Sequence, residues 1–192
     1  GTNEASVEVS QMPAMNLEQR LQFLIHYPYG CLEQTTSSVF PQLYLPELVD
    51  LTKQQDEAVR RNIQGGLQRL KSFALPTGGF TYWLGENFRD PWVNSYAGHF
   101  LIEANKKGYT IDQSMLDGWR KAQKKDAQAY RPGAYYPDDL NQAYRLYTLA
   151  LDGQPEWGLM NRLRVQKDLD LTAKWMLAAA YALGKRNDVA TD

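Results

Sequence analysis

Apolar residues recur at helical spacing through most of this 192-residue chain, and proline or glycine cuts each run. Val59, Ile63, Leu67 and Leu70 mark one face over 55–74. Trp92, Tyr96, Phe100 and Ala104 mark another, from Pro91 to a plausible cap at Gly108. Met115, Leu116 and Trp119 follow Asp112, a candidate N-cap. Leu140, Ala143, Tyr144 and Tyr147 follow Asp138 or Asp139 and run toward Gly153. A short helix with Leu159 and Leu163 begins at Pro155, and a last one runs from about Asp168 to Leu183. No segment alternates as a strand does, because the short aromatic runs lie in glycine loops, 76–85 and 131–137. The fold class is all-α, with about eight helices in pairs that bury each other's stripes.

One domain suits this length, and 43% apolar residues supply a core. The formal charge of -1 leaves no basic footprint for nucleic acid. Arg120, Lys121, Lys124 and Lys125 read as a solvated helix face. No apolar run is long enough to span a membrane, and no signal peptide is visible. The chain starts at Gly1 without Met and stops after Asp192, which points to a piece of something longer. Residues 1–12 are polar and aperiodic, read as a linker or the end of a preceding domain; residues 13–192 are read as the helical domain. Asn16 and Gln19 look like a capping pair for a helix carrying Leu17, Leu21, Leu24 and Ile25. Pro28 disfavours helix at Tyr27 and so ends that helix near there.

Chemistry concentrates in Tyr29-Gly30-Cys31-Leu32-Glu33-Gln34-Thr35-Thr36-Ser37, which holds the single cysteine. Gly30 permits a tight turn into a helix that continues through Val39 to Pro41. Cys31 then falls at a helix N-terminus, where partial positive charge stabilises a thiolate. Residue 34 lies one turn later on the same face. A thiol placed so reaches the Gln34 carboxamide, and loss of ammonia would leave an internal thioester. The plain alternative is that Cys31 is a small buried core residue.

The run Tyr27-Pro28-Tyr29-Gly30-Cys31-Leu32-Glu33-Gln34 resembles the thioester motif of the alpha-2-macroglobulin and complement family. It looks most like the bacterial branch, with Leu32 where many animal members have Gly. The likeness is sharp at residues 27–37 and softer over the Gly78 to Trp83 loop and the helix at Trp92. It implies an α/α toroid, here partial or shortened, since roughly six helix pairs exceed this length. It implies a bacterial protease-trapping inhibitor rather than an enzyme, periplasmic or on the cell surface, serving defence. A protease cuts a bait region elsewhere, and the exposed Cys31–Gln34 thioester then acylates it through lysine amines. Gly30 and Glu33 support the motif, though the role of Glu33 stays open.

A thioester needs protection from water. Tyr27, Tyr29, Tyr82 and Trp83 are the nearest candidate shields, completed in the family by a neighbouring domain of the same chain. Complement members carry a histidine in the loop before the helix at Trp92. Here that loop, 85–91, has none, so amines are the expected nucleophiles rather than hydroxyls. His26 and His99 carry no hydrolase signature that would make Cys31 an enzyme nucleophile. One Cys and two His make a metal site improbable, and no cofactor is expected. Two other readings stand beside this one. One is a binding or structural α/α module whose motif is inactive. The other is a toroid glycosidase or lyase using Glu86, Asp90 or Asp138.

Overall fold

The computed structural model describes residues 23–132 and 138–191. Among them seven longer helices are linked by turns: α1 Leu32–Val39, α2 Lys53–Leu70, α3 Pro91–Lys106, α4 Gln113–Ala129, α5 Asp138–Leu151, α6 Trp157–Arg164 and α7 Leu171–Leu183. Single helical turns lie at Leu45–Leu48 and Asn187–Ala190. The described residues contain no strand, only one isolated antiparallel bridge between Ala74 and Phe80. The expected linker, the Asn16–Gln19 pair and the helix over Leu17 and Leu21 lie outside the described residues, as does most of the second glycine loop.

Alternate helices stand together. α1 packs on α3, α3 on α5 and α5 on α7, so these four form an inner row. α2 packs behind α1, α4 behind α3 and α5, and α6 behind α5 and α7. This is the helix-pair arrangement of an α/α toroid. The inner row lines one cleft of about 670 Å³ with Glu33, Tyr96, His99, Tyr144 and Trp175 among its walls.

Local chemistry sets the helix ends. Thr52 accepts from the Gln55 backbone while the Gln55 side chain returns to Thr52, a capping box that starts α2 at Lys53 rather than Gln55. A 3₁₀ turn over Lys71–Phe73 ends it four residues before Ala74. Asp90, Asp112 and Asp170 cap α3, α4 and α7. α7 therefore begins at Leu171 and not at Asp168, and α6 begins after Glu156. Gly108 takes φ +82 beyond α3, and Tyr109 N–H returns to Ala104 O, closing the helix as expected.

The stripe of α3 is rotated from its expected phase. Val93, Ala97, Phe100, Leu101 and Ala104 are buried, whereas Trp92 is exposed at the cleft and Tyr96 is half-buried. Two close approaches explain the fit. A Cβ at Gly98 would lie 1.9 Å from the buried Trp119 ring. A Cβ at Gly66 would lie 2.8 Å from Val39, so the Gly65-Gly66 pair lets α2 press against α1. The basic face of α4 is only partly free. Arg120 bridges to Asp152 and Asp117, and Lys124 to Glu156, which ties α4 to the turn after α5.

Two apolar clusters result. One runs from Leu32 to Trp119, the other from Ala127 to Tyr181. A buried polar group lies between them. Gln123 accepts from Asn94 at 2.8 Å and donates to Ser95 at 2.8 Å and Thr148 at 3.0 Å.

Candidate functional site

Cys31 is the N-cap of α1, in extended geometry with φ -71 and ψ 177. Its Sγ accepts the Gln34 backbone N–H at 3.5 Å, and the Gln34 Oε1 accepts the Cys31 N–H at 3.1 Å. This is a capping box with sulfur in the place usually taken by a hydroxyl. The thiol and the carboxamide are therefore held in one turn, each bonded to the other residue's backbone. Cys31 is 2% exposed, while the Gln34 side chain is open to solvent.

Gly30 makes room for that geometry. Its φ is +87, a region that side chains other than glycine's enter at a cost. A Cβ there would stand 2.0 Å from Gln34 Oε1 and 2.9 Å from its carbonyl carbon. Any other residue would displace the carboxamide from the thiol.

Distant residues hold the turn. Arg69, in the last turn of α2, donates to Gly30 O at 2.7 Å and to Thr35 Oγ1 at 3.2 Å. Its guanidinium also lies over the Phe73 ring, 5.6 Å from the centroid. The approach to the motif is fixed by Gln42, which donates to His26 O at 3.0 Å and is held in turn by Asn62. Local spacing gave no sign of Arg69. Its part emerges only when α2 packs behind α1.

The loop before α3 supplies a second contact. Tyr82 O accepts the Leu32 N–H at 3.1 Å, and the Tyr82 hydroxyl donates to Glu33 Oε2 at 2.8 Å. The hydrogen bond to Glu33, then burial and the nearby Cys31 thiol, push the phenol pKa upward. The loop is braced by Glu86, which accepts from Thr81 Oγ1 and from Trp83 N–H.

The candidate shields divide into two pairs. Tyr27 and Tyr29 lie with ring centroids 4.9 Å apart, and the Tyr27 ring rests on Gly65. Tyr82 and Trp83 lie 5.6 Å apart. Tyr27, Tyr29 and Trp83 are 47%, 70% and 53% exposed, so only Tyr82 is both half-buried and bonded to the motif.

Neither histidine turns to the thiol. His26 bonds Phe23 O at 2.9 Å and Ser38 Oγ at 3.2 Å. His99 bonds the Tyr144 hydroxyl at 3.1 Å, and burial lowers its pKa to about 4. Two of the carboxylates considered for glycan chemistry have hydrogen-bond partners, and the third sits at a helix start. Asp90 caps α3, Glu86 braces its loop and Asp138 stands in the first turn of α5. Among the described residues no group of three His, Cys, Asp or Glu side chains is placed to hold a metal ion, and no helix is long and apolar enough to cross a membrane.

Fold and motif together define a helical domain built around a cysteine-capped turn. A family model described as the A-macroglobulin TED domain matches residues 5–130. The alpha-2-macroglobulin of Escherichia coli (strain K12) is 32% identical over 120 residues, which is 60% of this chain and 7% of that protein. The solved structure of Salmonella alpha-2-macroglobulin reacted with methylamine superposes with a TM-score of 0.76 at 26% identity, covering 93% of this chain and 13% of that one. Escherichia coli alpha-2-macroglobulin activated by porcine elastase superposes with a TM-score of 0.68 at 25% identity, over 85% of this chain and 16% of that one. The chain belongs to the alpha-2-macroglobulin family, as a TED domain of the bacterial type. It spans less than a sixth of the length of each of these relatives.

Proposed function

We propose that this domain carries an internal thioester between Cys31 and Gln34 and serves as the covalent arm of a protease-trapping inhibitor. The observation that carries the reading is the reciprocal capping box. It holds both side chains in one turn, with the Cys31 N–H on the oxygen that would become negative when the thiolate adds. A backbone donor so placed acts as an oxyanion partner. The helix N-terminus adds positive character at the capping position, and the Arg69 guanidinium bonds the carbonyl of the preceding Gly30.

Closure expels ammonia from Gln34. Opening reverses it with another amine. A protease lysine attacks the acyl carbon, the C–S bond breaks, and an amide joins the two proteins. The methylamine-reacted Salmonella relative and the elastase-activated Escherichia coli relative support this class of partner. Bait cleavage in another part of the protein triggers exposure, and neighbouring domains complete a shield that Tyr27, Tyr29, Tyr82 and Trp83 begin. Capture happens once per molecule, so the protein is an inhibitor and not an enzyme. The family reading carries with it a periplasmic or cell-surface site and a defensive role.

Intact mass tests this. The fresh protein should be lighter than its sequence by one ammonia. Methylamine should restore mass at Gln34 and release one thiol at Cys31. A full mass with Cys31 freely alkylated in the intact protein would sink the thioester reading and leave a binding module with an inactive motif.

A further inference from the structure

The phenol of Tyr82 stands between the two polar ends of the motif. It donates to the Glu33 carboxylate at 2.8 Å, and it lies near enough to the Cys31 thiol for that group to help raise its pKa. Its position is not adjustable by a loop swing, because its own carbonyl accepts the Leu32 N–H at 3.1 Å and Glu86 pins the residues on either side. Glu33 in turn is exposed at the mouth of the inner-row cleft, beside Ser37 and Tyr96. Gln34, the next residue, is exposed to the same solvent. No histidine reaches the site, so another group must move the proton.

We propose that Glu33 and Tyr82 form a proton relay for opening the thioester: Glu33 takes the proton of the incoming amine, and Tyr82 returns one to the leaving sulfur. The inference rests on the thioester reading above. The amine lone pair bonds to the Gln34 acyl carbon, and the C–S electron pair departs on Sγ. One N–H proton passes to Glu33. Tyr82 gives its phenolic proton to the sulfur and regains one from Glu33. One N–H and one C–S bond are lost, one C–N and one S–H bond are gained, and both relay residues end as they began. The same groups run in reverse when the Cys31 thiol attacks the Gln34 carboxamide and ammonia leaves. Glu33 touches the nucleophile, whereas Tyr82 links it to the sulfur.

The test measures methylamine opening in the intact protein, by the rate of thiol release at equal thioester content. Glu33→Gln should slow opening about 100-fold and Tyr82→Phe about 10-fold, within the range general acid–base groups supply. The wild-type rate should be flat in added acetate or imidazole buffer. The Glu33→Gln rate should rise with buffer base, and its order in methylamine should move from one toward two, as a second amine replaces the lost carboxylate. A merely structural role would not give that rescue. Wild-type rates and buffer dependence in both variants would overturn the relay while the thioester stands. A wild-type protein at full mass would overturn the thioester reading itself and the relay with it. Should Glu33→Gln fail to close the bond, Glu33→Asp decides. Closure and opening regained support the relay, and failure alike in both variants overturns it.

Discussion

The two apolar clusters are built by different means. The first, around α1 to α4, is keyed. Glycines admit rings and branched chains at distances no Cβ would tolerate, as at Gly98 against Trp119 and Gly66 against Val39. Phe40, Phe73, Phe80 and Phe100 fill what remains. The second, around α5 to α7, is padded with Ala127, Ala143, Ala150, Ala173 and Ala180; its buried rings are the tyrosines Tyr130 and Tyr181, and its close glycine approach, Gly184 on Trp157, lies at the exposed rim. Keyed packing has few alternative registers, since one displaced atom collides. Padded packing tolerates sliding. The motif sits on the keyed side, where Arg69 and Tyr82 must reach it within hydrogen-bond distance.

The largest test of that contrast is a matched pair of substitutions. Gly98→Ala should cost about 3 kcal/mol in chemical denaturation, because buried Trp119 has nowhere to go. Leu177→Met in the padded cluster should cost under about 1.5 kcal/mol. Equal costs would erase the distinction. Next comes the polar joint. Gln123→Leu leaves the buried Asn94 Nδ2 without its acceptor and removes one donor each from Ser95 and Thr148, in a region where the described buried side-chain polar atoms are all satisfied. It should cost about 2–3 kcal/mol and should separate the two clusters into distinct unfolding steps, read by comparing near-ultraviolet and far-ultraviolet transitions. A single coincident transition would mean that the joint is not what unites them.

His99 bridges the regions, with Phe40 on one side and Tyr144 and Tyr147 on the other. Burial depresses its pKa to about 4, with Glu103 opposing and Lys106 assisting. The unfolded chain binds the proton from the ordinary 6.5 downward, and the native state does not. Stability is therefore full above that value and falls as pH drops toward 4, by about 3 kcal/mol. His99→Phe should flatten this slope in urea titrations at several pH values, and an unchanged slope would place the proton elsewhere. The smallest effect belongs to a padded-side turn. Gly153→Ala meets no neighbour but carries φ +77, so only backbone strain of about 1 kcal/mol is expected from thermal melts.

Sequence carried the helices and the shared turn of Cys31 and Gln34 well, for a physical reason. Helical stripes, Asp caps and a Cys with Gln at the third position after it are all local, decided within a turn or two. Thr52 with Gln55 was equally local and would have fixed the start of α2. The phase of α3 was not readable, because Trp92 faces the cleft while Gly98 is buried, against the hydrophobicity of both. Arg69 was invisible as a partner of the motif and Tyr82 was legible only as a candidate shield, since their bonds exist only once separate helices and loops have met. Lys121, Lys124 and Lys125 are exposed as read, but the bonds of Arg120 to Asp152 and of Lys124 to Glu156 reach beyond α4 and were not legible.

The five indoles report on this division by light. Trp119 is sealed in the keyed cluster with its Nε1–H on Asn94 O, while Trp83, Trp92, Trp157 and Trp175 all see solvent. Emission from Trp119 belongs at the blue edge of the spectrum and that of the others at the red. A chain keeping only Trp83 would glow from the loop that carries Tyr82, and its quenching would follow events at the motif while staying silent about the core.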